Sequence, residues 1–176
     1  MLLFNSLPVL SPEILSFLSG SASQGDRVIR LGADRLIDYM TEDYAETLHD
    51  IDCVIDTLGE RELPKEFSIL KRGGHLVSLR GLPNGEFAKK MDMPFWKRML
   101  FKLAGMKYDR MAARNQQHYH FIFVHENGNG LPQVSRLFAE KHIPASVDEV
   151  YSLEDVNKAL KKIASGGSKG KTILKM

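Results

Sequence analysis

Residues 51–56, Ile-Asp-Cys-Val-Ile-Asp, form a brief and nearly apolar run that stops at Thr57, Leu58 and Gly59. Such a run belongs to a strand buried on both faces, and strands of that kind sit where helices cover both sides of a parallel sheet. From residue 24 onward the chain alternates between helical and strand periods. The alternation predicts an α/β fold, a parallel sheet covered by helices.

The individual segments follow from local signals. Residues 24–31 read as a helix closed by Gly32, and residues 35–38 as a short strand. Thr41 is the expected cap of the next helix, with Glu42 and Asp43 in its first turn and an end near His49. A helix over 63–70 should stop at Gly73 and Gly74, before a strand over 75–79 that ends at Arg80 and Gly81. Residues 119–124 read as a strand, and Leu131, Val134, Leu137 and Phe138 mark one face of a helix with Pro132 in its first turn. Ser152 and Asp155 resemble a capping box ahead of a helix carrying Val156, Ala159, Leu160 and Ile163. That helix should stop at Gly166 and Gly167, and residues 171–175 form a last short strand.

With 24 Lys and Arg against 22 Asp and Glu, the net charge of +2 provides no global field for nucleic acid. The single cysteine, Cys53, excludes an internal disulfide framework and a multi-cysteine zinc site, and it suits a reducing compartment, so a cytoplasmic location is expected. Residues 1–23 are apolar, but Pro8, Pro12 and Glu13 interrupt them and no Lys or Arg precedes Arg27, which is unlike a signal peptide. No run approaches the roughly 18 apolar residues of a membrane span.

Four motifs in order carry a resemblance: LGADRLIDY at 31–39, VIDTLG at 54–59, LKRGGHLVS at 70–78, and the closing pair YSLEDV at 151–156 with GKTIL at 170–174. Together they resemble the medium-chain dehydrogenase/reductase superfamily, and within it the zinc-independent, zeta-crystallin-like quinone oxidoreductases. The resemblance runs over about residues 24–176 and leaves 1–23 unassigned. It implies a Rossmann-like NAD(P)-binding domain, NADPH as cofactor with NADH as the alternative, no zinc, hydride transfer to a quinone or enone, and a homo-oligomer.

The family's pattern places Tyr39 near the adenosine 2′-phosphate, and Ser21, Ser23 and Gln24 at its Ser, Lys or Asn phosphate contacts, without the expected lysine. Asp56, Thr57 and Gly59 match the turn bordering the cofactor ribose, and Ser78, Leu79, Arg80 and Gly81 match the next strand end. Phe121 and Phe123 match a strand end beside the nicotinamide, contacted through backbone. No residue is assigned a catalytic role.

Two family parts have no counterpart in this sequence: the substrate domain, and the first strand with its Gly-rich turn, which supplies backbone amides and a helix N-terminus for the pyrophosphate. The sheet is therefore expected to be truncated, with the strand at 52–57 left an open edge. Residues 1–10 are one candidate cover, although Pro8 argues against a central strand, and a second copy of the chain is the other. Ser11, Pro12 and Glu13 suit a helix start for 14–19, whereas the family register makes 15–19 a strand. A non-enzymatic, oligomeric interaction protein retaining the Rossmann shell is the alternative function.

Other constellations have plainer readings. GGSKGKT at 166–172 lacks the first glycine of a phosphate loop, since Ser165 stands there, and no helix can follow. His118, His120 and His125 lack a carboxylate or cysteine partner in sequence, which favours a peripheral role over a metal site. Cys53 among Ile51, Val54 and Ile55 suits core packing and an inert thiol. Residues 89–114 gather eight basic residues against Asp92 and Asp109, with Trp96, Met99, Leu100, Leu103 and Met106 at helical spacing. A helical insertion near 86–116 that packs this stripe on the body is preferred to one on a membrane or nucleic acid.

Overall fold

The computed structural model describes residues 2–6, 14–140, 142, 146–166, 168 and 170–176. Two compact units divide the chain, Met1–His125 and Glu126–Met176.

The first unit is built on a six-stranded sheet. Its strands are β1 (Leu2–Ser6), β2 (Ile14–Gly20), β3 (Arg35–Asp38), β4 (Ile51–Asp56), β5 (Leu70–Ser78) and β6 (His118–Phe121), in the order β3-β2-β1-β4-β5-β6. The pairs β2–β3, β4–β5 and β5–β6 are parallel. The α/β class and the parallel Rossmann-like sheet are as expected. The central place that the missing first strand would occupy is filled by β1, which runs antiparallel to both neighbours, with Leu2 opposite Leu18 and Ile55. Leu2–Ser6 therefore close the edge of β4 within one chain; Pro8 and the helix start at Ser11 lie outside the described residues. Residues 14–20 are a strand, so the family register holds and the helical reading does not.

One sheet face carries the core. Ile37, Val54, Leu76 and Tyr119 alternate onto it and meet Tyr44, Leu63, Phe67 and Tyr108 from the covering helices α2 (Tyr44–Thr47), α3 (Leu63–Ile69) and α5 (Phe95–Arg114). Burying each such side chain contributes about 1.5–3 kcal/mol. Pro64 sits in the first turn of α3, where its missing amide costs nothing. The remaining helices of this unit are α1 (Gly25–Arg30) and α4 (Gly85–Lys90).

Four local expectations are corrected. Asp43 rather than Thr41 caps α2, accepting from the Ala45 amide at 2.8 Å, and the helix is a single turn because Leu48 turns into extended backbone to bury its side chain. Gly73 and Gly74 do not stop a helix; β5 begins at Leu70 and runs through them, with a register shift against β4. A Cβ on Gly74 would lie 2.9 Å from the Lys71 carbonyl and 3.1 Å from that of Ile51, so the pair permits a bulge with close backbone approach. β6 ends at Phe121, leaving residues 122–124 outside the sheet. The stripe on α5 does not pack: Gly105, Tyr108 and Ala112 form its buried face instead.

The second unit pairs β7 (Val147–Ser152) in parallel with β8 (Lys171–Lys175) and holds α6 (Leu131–Glu140) and α7 (Val156–Ser165). Lys162 on α7 reaches Asp148 at 2.9 Å and Glu149 on β7. The Ser152 hydroxyl donates to Asp155 at 3.2 Å. Gly167 and Lys169 of the phosphate-loop-like segment lie outside the described residues.

Candidate cofactor site at the strand ends

Five of the six strands point their carboxyl ends to one edge of the sheet, where ligands of open α/β sheets sit. At that edge the turns after β4 and β5 are tied together. Asp56 and Ser78 are both fully buried. Asp56 accepts through Oδ1 from the amides of Leu58 at 2.6 Å and Gly59 at 2.8 Å, and through Oδ2 from the Ser78 hydroxyl at 2.5 Å. Ser78 Oγ in turn accepts from the amides of Gly81 at 2.7 Å and Arg80 at 3.3 Å. The Leu79 amide donates to the Asp56 carbonyl at 3.0 Å, and Gly59 turns at φ +97°.

The expected site residues Asp56, Thr57, Gly59, Ser78, Leu79, Arg80 and Gly81 thus lie together on two turns tied to each other by hydrogen bonds. Both carboxylate oxygens of Asp56 are used internally, so its role there is to shape two turns, while Thr57 and Arg80 are exposed. Phe121 stacks edge-on against Phe87 at 5.1 Å; Phe123 lies beyond β6 and is exposed. Ser21 and Ser23 face each other at 3.1 Å in the turn after β2, and the Gln24 amide donates to the Ser21 carbonyl at 2.9 Å.

Tyr39, beyond β3, lines a cavity of about 660 Å3 together with Ser19, Thr41, Tyr44, Leu58 and others. Its wall also holds Glu42, Asp43, Glu46 and Glu62, against Lys65 as the one lining cation among the described residues. Lys65 pairs with Asp43 at 2.7 Å and lies 4.5 Å from the Tyr44 ring centroid, and the Tyr44 hydroxyl donates to Glu62 at 2.9 Å. The hydrogen bond from Lys65 holds the Asp43 carboxyl below its ordinary range, so it is ionised. Arg35 pairs with Glu42, so two of the four lining carboxylates are ion-paired and the cavity keeps a net acidic wall.

Behind this wall lies a residue that the sequence reading missed. Glu66 is fully buried on α3, and neither of its oxygens has a hydrogen-bond partner. Burial, then the nearby carboxylates of Asp56 and Glu62, push its pKa up to about 8, so it is neutral at pH 7. The signal was present: Glu66 shares the helical stripe of Leu63, Phe67 and Leu70.

His118 and His120 meet a third histidine, His75 on β5, whose Nδ1 lies 3.0 Å from His120 Nε2. Burial, then the neighbouring His75, lowers the His120 pKa. Cys53 is half-buried, and burial followed by the Asp52 charge raises its thiol pKa, which keeps it a poor nucleophile. Among the described residues no group of three or more His, Cys, Asp or Glu is arranged to hold a metal ion, so the described residues do not fit a zinc centre. No helix among them is long and apolar enough to cross a membrane.

The chain belongs to the zinc-binding dehydrogenase family, whose sequence profile matches residues 31–174. The resemblance drawn from the motifs is borne out. The chain is 26 % identical over 180 residues to the synaptic vesicle membrane protein VAT-1 homolog of Danio rerio, an alignment covering 92 % of this chain and 36 % of that protein. It is 25 % identical over 159 residues to the NAD(P)H oxidoreductase RTN4IP1, mitochondrial, of Danio rerio, covering 87 % and 41 %. Its fold is that of the quinone oxidoreductase from Coxiella burnetii, with a TM-score of 0.67 at 19 % identity over 91 % of this chain and 44 % of that one. The chain therefore spans between 36 % and 44 % of the length of these proteins.

The strand-end edge fits a nicotinamide dinucleotide only in part. The cavity at Tyr39, at about 660 Å3, and the tied turns after β4 and β5 lie where the family resemblance expects the adenosine end and the ribose. The pyrophosphate has no Gly-rich turn here among the described residues, because β1 runs reversed and presents its amino end to the edge.

Proposed function

We propose that this chain is the cofactor-binding part of an NAD(P)H-dependent oxidoreductase of the quinone or enone reductase type. The observation that carries this is the family match over residues 31–174 together with the tied strand-end turns at Asp56 and Ser78. One relative is named for NAD(P)H-dependent oxidoreduction and one structural neighbour for quinone reduction, which supports bringing hydride chemistry to the complete architecture. NADPH is the family expectation, but the acidic wall at Tyr39 opposes a 2′-phosphate and favours NADH. A quinone or enone acceptor, a cytoplasmic location and self-association belong to the same proposal.

The test is calorimetric titration of the purified chain with NADH and NADPH. Saturable 1:1 binding of either cofactor, weakened by altering the Tyr39 wall, is the expected result; no heat at millimolar concentration of both overturns it. The reversed β1 favours a second reading, a Rossmann shell used for protein interaction without chemistry. That reading predicts a concentration-dependent mass in light scattering with no cofactor heat.

A further inference from the structure

Helix α5 has two opposed faces, and only one of them packs. At 100° per residue, Phe95, Met99, Leu103, Trp96 and Leu100 fall within an arc of about 140°, and Gly105, Tyr108 and Ala112 lie on the opposite side. The second set is buried, Tyr108 and Ala112 in the core and Gly105 against Asn84 and Pro83. The first set is exposed: Phe95 78 %, Trp96 61 %, Met99 44 %, Leu100 57 % and Leu103 59 %. Two aromatic and three long aliphatic side chains in one continuous exposed stripe are far from the scattered apolar residues of an ordinary surface.

The stripe is framed by positive charge. Over its length α5 carries six basic residues against Asp109, and Lys89 and Lys90 end the preceding helix. Asp109 itself accepts from Asn84 at 2.7 Å. Arg98 is tied to Asp92 at 2.9 Å, whereas Lys97 lies 5.4 Å from the Trp96 ring centroid, at the margin of the apolar stripe. Long lysine stems can lie along such a margin while their ammonium groups reach outward.

We propose that α5 docks on an anionic lipid bilayer, lying in the interface with Phe95, Trp96, Met99, Leu100 and Leu103 entering the headgroup boundary. The chemistry fits that occupant on both counts. The stripe supplies the apolar area and interfacial aromatics that insert a helix to a shallow depth, and the flanking lysines meet a surface of opposite sign. A second copy of the helix would set like charges against each other, and a nucleic acid would leave the aliphatic stripe in water. The docking is independent of cofactor binding, so the two proposals fail separately.

Trp96 is the only tryptophan in the chain and reports on its own stripe. The full chain is mixed with vesicles of phosphatidylcholine alone or with 30 mol % phosphatidylserine, and Trp96 emission is followed alongside flotation. The expected result is a blue shift and co-flotation with the anionic vesicles only, reversed by raising salt. The double variant Leu100→Glu, Leu103→Glu should lose both signals; these side chains are more than half exposed, so its melting temperature should be unchanged. Should the double variant fail to fold, Lys97→Gln and Lys102→Gln provide the second arm, each weakening binding about fivefold. The proposal is overturned by no shift at millimolar lipid, by equal binding to neutral vesicles, or by lipid binding retained in the folded glutamate variant. A shift that follows protein concentration without lipid, or one produced by duplex DNA instead, overturns it in favour of self-association or nucleic-acid binding.

Discussion

Ser78 and Asp56 are register neighbours at the ends of two parallel strands, and the Ser78 hydroxyl donates to the Asp56 carboxylate across 2.5 Å with both residues inaccessible to water. The same hydroxyl accepts from the Gly81 amide, so one side chain fixes two turns. Ser78→Ala removes a charge-assisted hydrogen bond to the buried Asp56 carboxylate and leaves the part-buried Gly81 amide without its acceptor. It is expected to destabilise the fold by about 1–3 kcal/mol, read as a lower urea midpoint with an unchanged slope.

Glu66 makes stability depend on pH in an unusual direction. Its folded pKa of about 8 lies above the ordinary value of 4.5, so the neutral form is the one that the fold favours. Its contribution is complete below pH 4.5 and is lost as pH rises through 8, at about 1.4 kcal/mol per pH unit between those limits. Glu66→Gln should flatten that part of the profile, leaving the variant more stable than the parent at pH 8.5 and little changed at pH 4.5. Urea melts at both values check this, and a parent stability that rises from pH 5 to 8 counts against it.

If the cavity at Tyr39 takes the adenosine end, its four carboxylates, two of them ion-paired with Arg35 and Lys65, should set a preference between cofactors. NADH should bind about tenfold more tightly than NADPH, since the additional phosphate enters a negative potential. Glu46→Lys, on an exposed side chain of that wall, should narrow or reverse the ratio, and added salt should shrink it. Paired calorimetric titrations measure both effects; a parent preference for NADPH contradicts the electrostatic reading.

Replacing Leu3 by proline removes a ladder amide from the middle of the sheet. Stability should fall by about 1–3 kcal/mol and the edges of β2 and β4 should open. Size-exclusion chromatography with light scattering should then show species larger than those of the parent. A melting temperature and mass identical to the parent's would show that β1 does not hold the centre of the sheet.

How much of this could be read in the sequence depends on whether the controlling interaction is local. The apolar run at 51–56 announces a doubly covered strand by itself, and the structure makes it β4. Gly73 and Gly74 carry an ambiguous local signal, since the same freedom that ends helices also permits a bulge, and only the close approach of the Ile51 carbonyl decides. The direction of β1 rests on partners about 15 and 50 residues away, which no local pattern encodes. On α5 the large apolar residues drew attention to one face, but the packed face is set by Gly105 and Ala112, whose small size is what lets the helix approach. The strand-end turns were legible through the family's motifs; Glu66 and the acidic wall needed the spatial neighbours that give a carboxyl its charge state.

The reversed central strand also bears on the order in which the sheet is assembled. β1 and β2 are adjacent both in sequence and in space, so the two strands at the centre of the sheet can pair locally, before the more distant strands are needed. β3 then adds to the free side of β2, β4 to the free side of β1, and β5 and β6 follow outward in turn. Each new strand extends an exposed margin and none has to be threaded between two that are already paired. A sheet arranged in this way can grow outward from its central pair, with each incomplete stage offering the template for the next.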